Sequence, residues 1–293
     1  MKKVLKTLIA VMMAAMLVFS VTACKDSSNG DDGVGVEYKK IDGVYTIYEY
    51  VQEDDVTVLD LGEALEDDVT DVRIKKGAFS GNSKLTKIIV PDTVTKIDAG
   101  AFEKMGALVT LELPFIGESA NSDAFYAESK KAEDKAVDAA RTIAHLFGTE
   151  EYDMGAPVTV NYNDQSSSTC YMPLTFREVI VNATSEYSIP MYAFNGAVNL
   201  TSVVLKGKVD AIGENAFSGC KELTAIELPE TTVTVYENAF NGCAKLKTLT
   251  VKAAEIIVKD GAFVGTKLAR TALDGKVKDL TDAMKDKIFG EAE

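Results

Sequence analysis

Few residues in this chain carry side chains that could act as catalysts. His145 is the only histidine, and it could serve as a general base or as a metal ligand. Neither a second histidine nor a Cys/His cluster accompanies it, and the nucleophile-elbow, zinc-protease and phosphate-loop motifs are missing. The alternative of chemistry around Tyr126, His145 and Tyr152 lacks a nucleophile–base pair. We therefore predict a protein that is not an enzyme, with no metal and no cofactor.

Two of the four cysteines are spaced so that they could bond to each other. Cys220 and Cys243 are 23 residues apart, which is also the period of a repeat described below. Stacking on that period would bring their Cα atoms to about 5 Å, within disulfide range. Parallel side chains in a stack favour two buried thiols instead, and the sequence leaves their oxidation state open. Cys170 has no evident partner.

Another cysteine, Cys24, follows an export signal. The apolar run Leu8–Val21 comes after three lysines, which predicts a secretory signal peptide over residues 1–23. The run is shorter than the ~20 residues that a membrane span needs. The segment Val21-Thr22-Ala23-Cys24 resembles the bacterial lipobox, which implies lipidation of Cys24 and anchoring at the outer face of the cell membrane or the cell surface. An ordinary cleaved signal is the alternative reading.

Composition restricts what the exported chain can bind. Of the 293 residues, 46% are hydrophobic, which is enough to bury a core. The formal net charge of −14 excludes nucleic acid as a partner, because binding a polyanion needs a basic surface. Residues 24–42 start at the lipidated cysteine and are mostly polar, Gly-rich and acidic, so we predict a flexible tether there.

The rest of the chain is a repeat. Ala-Phe recurs at a spacing of 23 residues in two blocks, first at Phe79 and Phe102, then at Phe194, Phe217, Phe240 and Phe263. A β-branched residue lies five positions before each Phe, and in five of the six copies aliphatic residues follow at six, nine and eleven. Residues two apart on a strand point to the same side, so positions nine and eleven face one core. Stacked coils with parallel strands bury the apolar edges that a single coil exposes.

The best-preserved copies resemble the BspA-type bacterial leucine-rich repeat. The stretch from Ile212 through Asn-Ala-Phe217-Ser-Gly-Cys220 to Leu228-Pro229 is repeated closely by the next copy, through Leu246. The resemblance covers about residues 69–265 and implies a repeat solenoid, rich in β-structure with parallel strands and short turns. For function, it implies adhesion to host matrix proteins or cell–cell contact.

The repeat is interrupted between its two blocks. Phe125 keeps the 23-residue spacing. The residues five positions before it and six and nine positions after it, however, are Ala120, Lys131 and Asp134 instead of large apolar residues. We therefore predict an insertion at 115–175, with a helix over Ser122–Phe147, and the repeat resuming at Phe176. The segment Leu146-Phe147-Gly148 resembles an insertion that recurs in relatives of the family.

Both ends of a solenoid need caps, because terminal coils expose core edges. Alternating residues at Val44–Tyr50 and Val56–Leu61 predict a hairpin around Gln52–Asp55. Leu280–Phe289 predicts a terminal helix. The resulting division is a solenoid over 43–275, with its cap at 43–68, and a C-terminal helical cap over 276–293.

Strand alternation also predicts a binding face. If positions nine and eleven after each Phe point inward, positions eight and ten point outward and form two ladders along the sheet. These candidate residues are Lys87, Ile89, Thr110, Glu112, Glu178, Ile180, Ser202, Val204, Ala225, Glu227, Thr248 and Thr250. A solvated surface without a ligand is the competing interpretation, since Thr, Val and Ile are common on strands.

Two functions remain from different classes. The first is a lipid-anchored surface protein whose sheet face binds an extracellular protein or glycan during adhesion. The second is an envelope-associated lipoprotein that binds a carbohydrate or another nutrient. Trp is absent, which weakens the glycan version because aromatic platforms are scarce.

Overall fold

The computed structural model describes residues 35–290 apart from 54, 67, 121–140, 162–166, 233 and 279. The predicted signal peptide, Cys24 and most of the predicted tether lie outside these residues. In chain order the elements are β1 (Gly35–Ile41), β2 (Val44–Val51), β3 (Val58–Asp60), α1 (Leu61–Ala64), β4 (Val72–Ile74), β5 (Lys87–Ile89), β6 (Val94–Ile97), β7 (Thr110–Leu113), a 3₁₀ helix (Ile143–Phe147), β8 (Gly155–Asn161), β9 (Ser167–Pro173), β10 (Glu178–Ile189), β11 (Ser202–Ile212), β12 (Ala225–Leu228), β13 (Thr234–Val235), β14 (Thr248–Val251), β15 (Ile257–Val258) and α2 (Asp282–Phe289).

The strands build a solenoid with two sheets, which confirms the predicted fold class. We call the first the front sheet: β3, β5, β7, β10 and β11 pair in parallel in that order, and β12 pairs with β14 in a sheet of its own that contacts β11. The second, the side sheet, contains β1, β2, β4 and β6, and then the later parts of β10 and β11 with β13 and β15.

A proline follows three of the short front strands, whereas β14 stops at Val251 with Lys252 after it. Pro91, Pro114 and Pro229 follow β5, β7 and β12, and these strands are only three or four residues long. A proline lacks the N–H that would continue the ladder. The corresponding positions after Val181 and Leu205 hold no proline, which permits β10 and β11 to continue for 12 and 11 residues and to belong to both sheets.

A stack of phenylalanine rings forms one wall of the core. Phe217 lies between Phe194 and Phe240, with ring centroids 4.7 and 4.9 Å away and planes 9° and 2° apart. The backbone follows the same stacking, because Phe217 N–H donates to the Ala239 carbonyl at 2.7 Å. Gly219 has φ = +76°, a turn conformation that residues with a Cβ rarely adopt. The Ala-Phe-x-Gly motif therefore forms the turn that starts the coil in five of the six copies, and Lys104 takes the glycine's place, with φ = +58°, in the Phe102 copy.

Both caps extend this stack with residues outside the repeat. Tyr50 stacks on Phe79 at 5.8 Å, and its N–H donates to the Ala78 carbonyl. At the other end Phe289 stacks on Phe263, also at 5.8 Å. The predicted C-terminal helix is confirmed as α2, and Thr281 caps it by accepting a hydrogen bond from Met284 N–H at 3.2 Å. Each end of the core is thus covered by an aromatic ring.

The N-terminal hairpin differs from the one predicted. Strand β2 pairs antiparallel with β1, whereas β3 joins the front sheet in parallel with β5. The turn is Asp42-Gly43, with φ of +50° and +89°, and such a two-residue turn matches the twist of a hairpin. Residues 35–41, assigned to the tether from sequence, are therefore a strand of the cap, and the loop at Gln52–Asp55 connects two different sheets.

The insertion supplies one turn of the solenoid. Its predicted helix falls mainly on residues 121–140, outside the described part, and the Ile143–Phe147 segment is a 3₁₀ helix. Phe102 N–H donates to the Leu146 carbonyl, the bond that the Ala of an Ala-Phe pair accepts elsewhere, and Phe147 is fully buried. Strands β8 and β9 then form an antiparallel hairpin within the insertion.

Candidate functional site

Parallel register aligns the predicted outward residues in two rows on the front sheet. Lys87, Thr110, Glu178 and Ser202 pair across β5, β7, β10 and β11 in the first row. The second row pairs Ile89, Glu112, Ile180 and Val204. In the separate two-stranded sheet, Ala225 pairs with Thr248 and Glu227 with Thr250. We call these outward side chains, together with Val58 and Asp60 of β3, the front face.

The front face is not uniformly open to solvent. Thr110 and Glu112 are each only 9% exposed, which corrects the expectation that both face solvent. The other ten candidates are half-buried or exposed, and exposure increases toward β12 and β14. Long side chains from neighbouring strands converge on Glu112 and cover it.

Charge pairing explains why Glu112 is buried. Its carboxylate lies 3.4 Å from Lys87 Nζ and 3.3 Å from Lys206 Nζ, and Asn182 Nδ2 donates to it at 3.4 Å. A buried carboxylate needs such partners, since an unpaired one would lose its hydration without compensation. Lys206 and Asn182 lie one outward position beyond the candidates named from sequence. The absence of a proline after Val181 and Leu205 is the signal that could have revealed them.

Glu178 occupies the centre of the first row and has a different environment. Thr110 Oγ1 donates to one carboxylate oxygen at 3.3 Å, and Ser202 Oγ donates to the other at 3.0 Å. These donors come from the strands on either side, so the carboxylate is fixed by two neutral hydroxyls. Toward β14 the face becomes small and polar, with Glu227 paired to Lys252 at 2.6 Å.

His145, the candidate general base, lies on the 3₁₀ helix of the insertion. His145 N–H donates to Thr142 Oγ1 at 3.2 Å, and the ring lines a pocket of about 140 Å³ with Lys76, Ser168 and Cys170. Burial raises the pKa of Tyr152 to about 12, so the phenol stays neutral at about pH 10, where an exposed tyrosine is half ionised. Tyr126 lies outside the described residues. No group of three or more His, Cys, Asp or Glu side chains suited to a metal occurs within the described residues.

The repeated residues match the model of a known protein family. A family model for the BspA type leucine rich repeat region matches residues 66–137 and 167–286 in six copies. The chain belongs to this family. The unmatched segment 138–166 contains the 3₁₀ helix and β8 of the insertion. Leucine-rich repeat proteins generally bind other proteins or associate with cell surfaces.

Several solved bacterial leucine-rich repeat structures are similar to this chain. The T. pallidum leucine rich repeat protein is 17% identical, with a TM-score of 0.36, over 85% of this chain and 90% of that one. A Bacteroides ovatus protein is 19% identical, with a TM-score of 0.37, and the match spans 82% of this chain and 57% of that one. A leucine rich cell surface protein of Faecalibacterium prausnitzii is 16% identical, with a TM-score of 0.26, over 84% and 68%.

Comparison with curated proteins found no match. Within residues 35–290, as far as they are described, no helix is long and apolar enough to cross a membrane.

In this BspA-type chain the repeated cysteines form a ladder of hydrogen bonds. Cys243 Sγ donates to the Phe217 carbonyl at 3.1 Å, and Cys220 Sγ donates to the Phe194 carbonyl at the same distance. Both side chains are fully buried and both are thiols. Each thiol therefore gives a second hydrogen bond to a carbonyl of the preceding coil, which also accepts the backbone N–H of Ala197 or Cys220.

Burial should make these thiols unreactive. Burial raises the pKa of Cys243 to about 12 and that of Cys220 well above its usual value, so little thiolate forms below pH 10. We expect iodoacetamide at pH 8.5 to leave both unmodified in the folded protein and to alkylate both in urea, as measured by peptide mass spectrometry. Because folding raises both pKa values, the contribution of these two thiols to the free energy of unfolding should be constant below about pH 8 and fall as the pH rises further. A lack of alkylation in urea without reductant would instead reveal a Cys220–Cys243 disulfide.

Proposed function

We propose that the protein is a lipid-anchored, non-enzymatic surface protein whose front face binds an extracellular protein. One observation carries this proposal: the outward rows of β5, β7, β10 and β11 align in register on a rigid stack of coils. Solenoids use such extended faces to bind partners. The face is preorganised by its own hydrogen bonds and ion pairs, so binding orders few side chains.

Apolar side chains on this face support a protein partner. Ile180 is half-buried beside Val204, which is 37% exposed, and the half-buried Ile89 lies in the same row on the other side of Glu112. Apolar groups with a charged rim are typical of the centre of a protein interface. None of the twelve candidate residues is aromatic, and sugar rings usually stack on aromatic side chains. A soluble glycan is therefore the less favoured ligand.

The binding face is tested by changing the apolar row. We expect the triple variant Ile89→Ser, Ile180→Ser, Val204→Ser to bind a responding matrix protein at least about tenfold more weakly, because the apolar area buried at the interface is lost. The measurement is surface plasmon resonance against immobilised matrix proteins and a glycan array. Ile257→Ser is the matched control, since Ile257 is 57% exposed but lies on β15 of the side sheet. Equal loss in both variants, or glycan binding alone, would contradict a protein-binding front face.

The membrane anchor is a separate part of the proposal and rests on the sequence around Cys24. Lipidation would hold the front face outside the membrane on a tether that ends where β1 begins, at Gly35. We expect cells expressing the full chain to incorporate labelled palmitate into it, and Cys24→Ala to abolish the label and release the protein from the membrane fraction. Cys170→Ala is the control and should remain labelled. A labelled Cys24→Ala protein would contradict the assignment.

A further inference from the structure

The carboxylates of the front face differ in what neutralises them. Glu112 contacts two lysines, and Glu227 contacts Lys252. Asp60 accepts a hydrogen bond from Gly62 N–H at 2.8 Å, as the cap of α1. Glu178 contacts only the hydroxyls of Thr110 and Ser202, and among the described residues it has no ion pair. The centre of the face therefore holds one carboxylate whose charge is not balanced.

The two hydroxyls orient this carboxylate and leave each of its oxygens able to accept a further hydrogen bond. Each carboxylate oxygen accepts one hydrogen bond and can accept another. Glu178 is half-buried, so a cation that reached it would be less screened than at an exposed site. The neighbouring Lys87 and Lys206 do not neutralise Glu178, because both form ion pairs with Glu112. An external cation would complete the site.

Apolar side chains lie directly beside this carboxylate. Ile180 is the next outward residue on β10, and it pairs across the sheet with Val204. Ile89 lies in the same row beyond Glu112. A partner that places a cation at Glu178 would therefore bring the residues around that cation onto a branched aliphatic surface.

We propose that Glu178 is the subsite for an arginine of the partner, and that the partner segment is an extended peptide with apolar residues next to that arginine. This inference rests on the proposed binding function of the front face and specifies its ligand. Arginine fits better than lysine, because its planar guanidinium engages both oxygens of a fixed carboxylate and is less strongly hydrated. The flanking apolar residues pack on Ile180 and Val204.

The test uses a phage-displayed library of random 12-residue peptides, selected on the full protein. We expect enriched peptides that contain arginine beside Val, Ile or Leu. Their affinity, measured with synthetic peptides by fluorescence anisotropy, should fall about tenfold or more in Glu178→Gln, which keeps the size of the side chain but removes its charge. Glu150→Gln is the matched control, and its effect should stay within about twofold, since Glu150 is exposed, paired with Lys104 at 2.7 Å and outside the front face.

A second change distinguishes an ion pair from a general loss of structure. Replacing the peptide arginine by citrulline keeps its shape and removes its charge. We expect Glu178→Gln to have no further effect on the citrulline peptide, because the interaction is already absent. If peptides are lost in the Ile89, Ile180, Val204 triple variant but not in Glu178→Gln, the face binds and the arginine subsite is wrong. If neither variant loses binding, both the subsite and the front-face function are wrong.

Discussion

Phe217→Ala should lower the free energy of unfolding by about 3–5 kcal/mol, the largest effect expected from any single side chain of the repeat. The ring is fully buried and stacks on Phe194 and Phe240 at 4.7 and 4.9 Å. Its loss leaves a cavity next to two coil interfaces at once. Solenoid stability depends on interfaces between neighbouring coils, so one gap weakens the stack on both sides.

Position along the stack provides the control for this prediction. Phe289 contacts one ring, Phe263 at 5.8 Å, and is only partly buried at the end of α2. We expect Phe289→Ala to cost about 1–2 kcal/mol, because less area is lost and the end of the chain can close around it. Urea unfolding followed by circular dichroism measures both. Equal effects at Phe217 and Phe289 would contradict a stability set by the interior of the stack.

The repeat could be predicted from sequence because each structural role recurs at a fixed position, or column, of the 23-residue repeat. The column at Phe217 builds the ring stack, the column at Cys220 supplies the thiol ladder, and the columns at Ile226 and Leu228 face the core. When several positions keep the same residue type in every repeat, a stack of coils is the one architecture that buries all of them. The same periodicity places the outward rows, since alternate residues of a strand point to opposite sides.

The caps and the insertion were harder to predict because they continue the stack of coils with residues that do not follow the repeat pattern. Tyr50 and Phe289 continue the ring stack outside the 23-residue spacing. Leu146 accepts the backbone bond that an Ala accepts in the regular coils. The first hairpin was misplaced because Asp42-Gly43, a strong turn signal, lies where the tether was assigned.

The chemistry of the front face was also only partly visible in the sequence. Alternation predicts which residues point outward, but not which of them cover one another. Glu112 is buried because Lys87 and Lys206 reach it from two other strands, at sequence separations of 25 and 94 residues. Such pairing depends on side-chain length and strand order, which a column count does not contain. The contrast between Glu112 and Glu178 therefore emerges only in three dimensions.

The second large effect is expected at Gly207, where β10 and β11 change from the front sheet to the side sheet. Gly207 has φ = +74°, and a Cβ there would lie 1.9 Å from the Ala183 carbonyl oxygen. Backbone atoms of the paired strand cannot give way without separating the two strands. We expect Gly207→Ala to cost about 2–5 kcal/mol, from the left-handed backbone together with the steric displacement.

Gly81→Ala separates these two contributions. Gly81 has the same φ of +74°, but nothing lies within 4 Å of its Cβ position, so only the backbone cost of about 1–2 kcal/mol should remain.

Gly207→Ala should also weaken front-face binding, because Ala183 and Gly207 follow Asn182 and Lys206, which hold the Glu112 network. Urea unfolding and peptide binding measured on both variants test this. If the two variants lost equal stability and both kept full binding, then the close approach of β10 and β11 would not be what shapes the face.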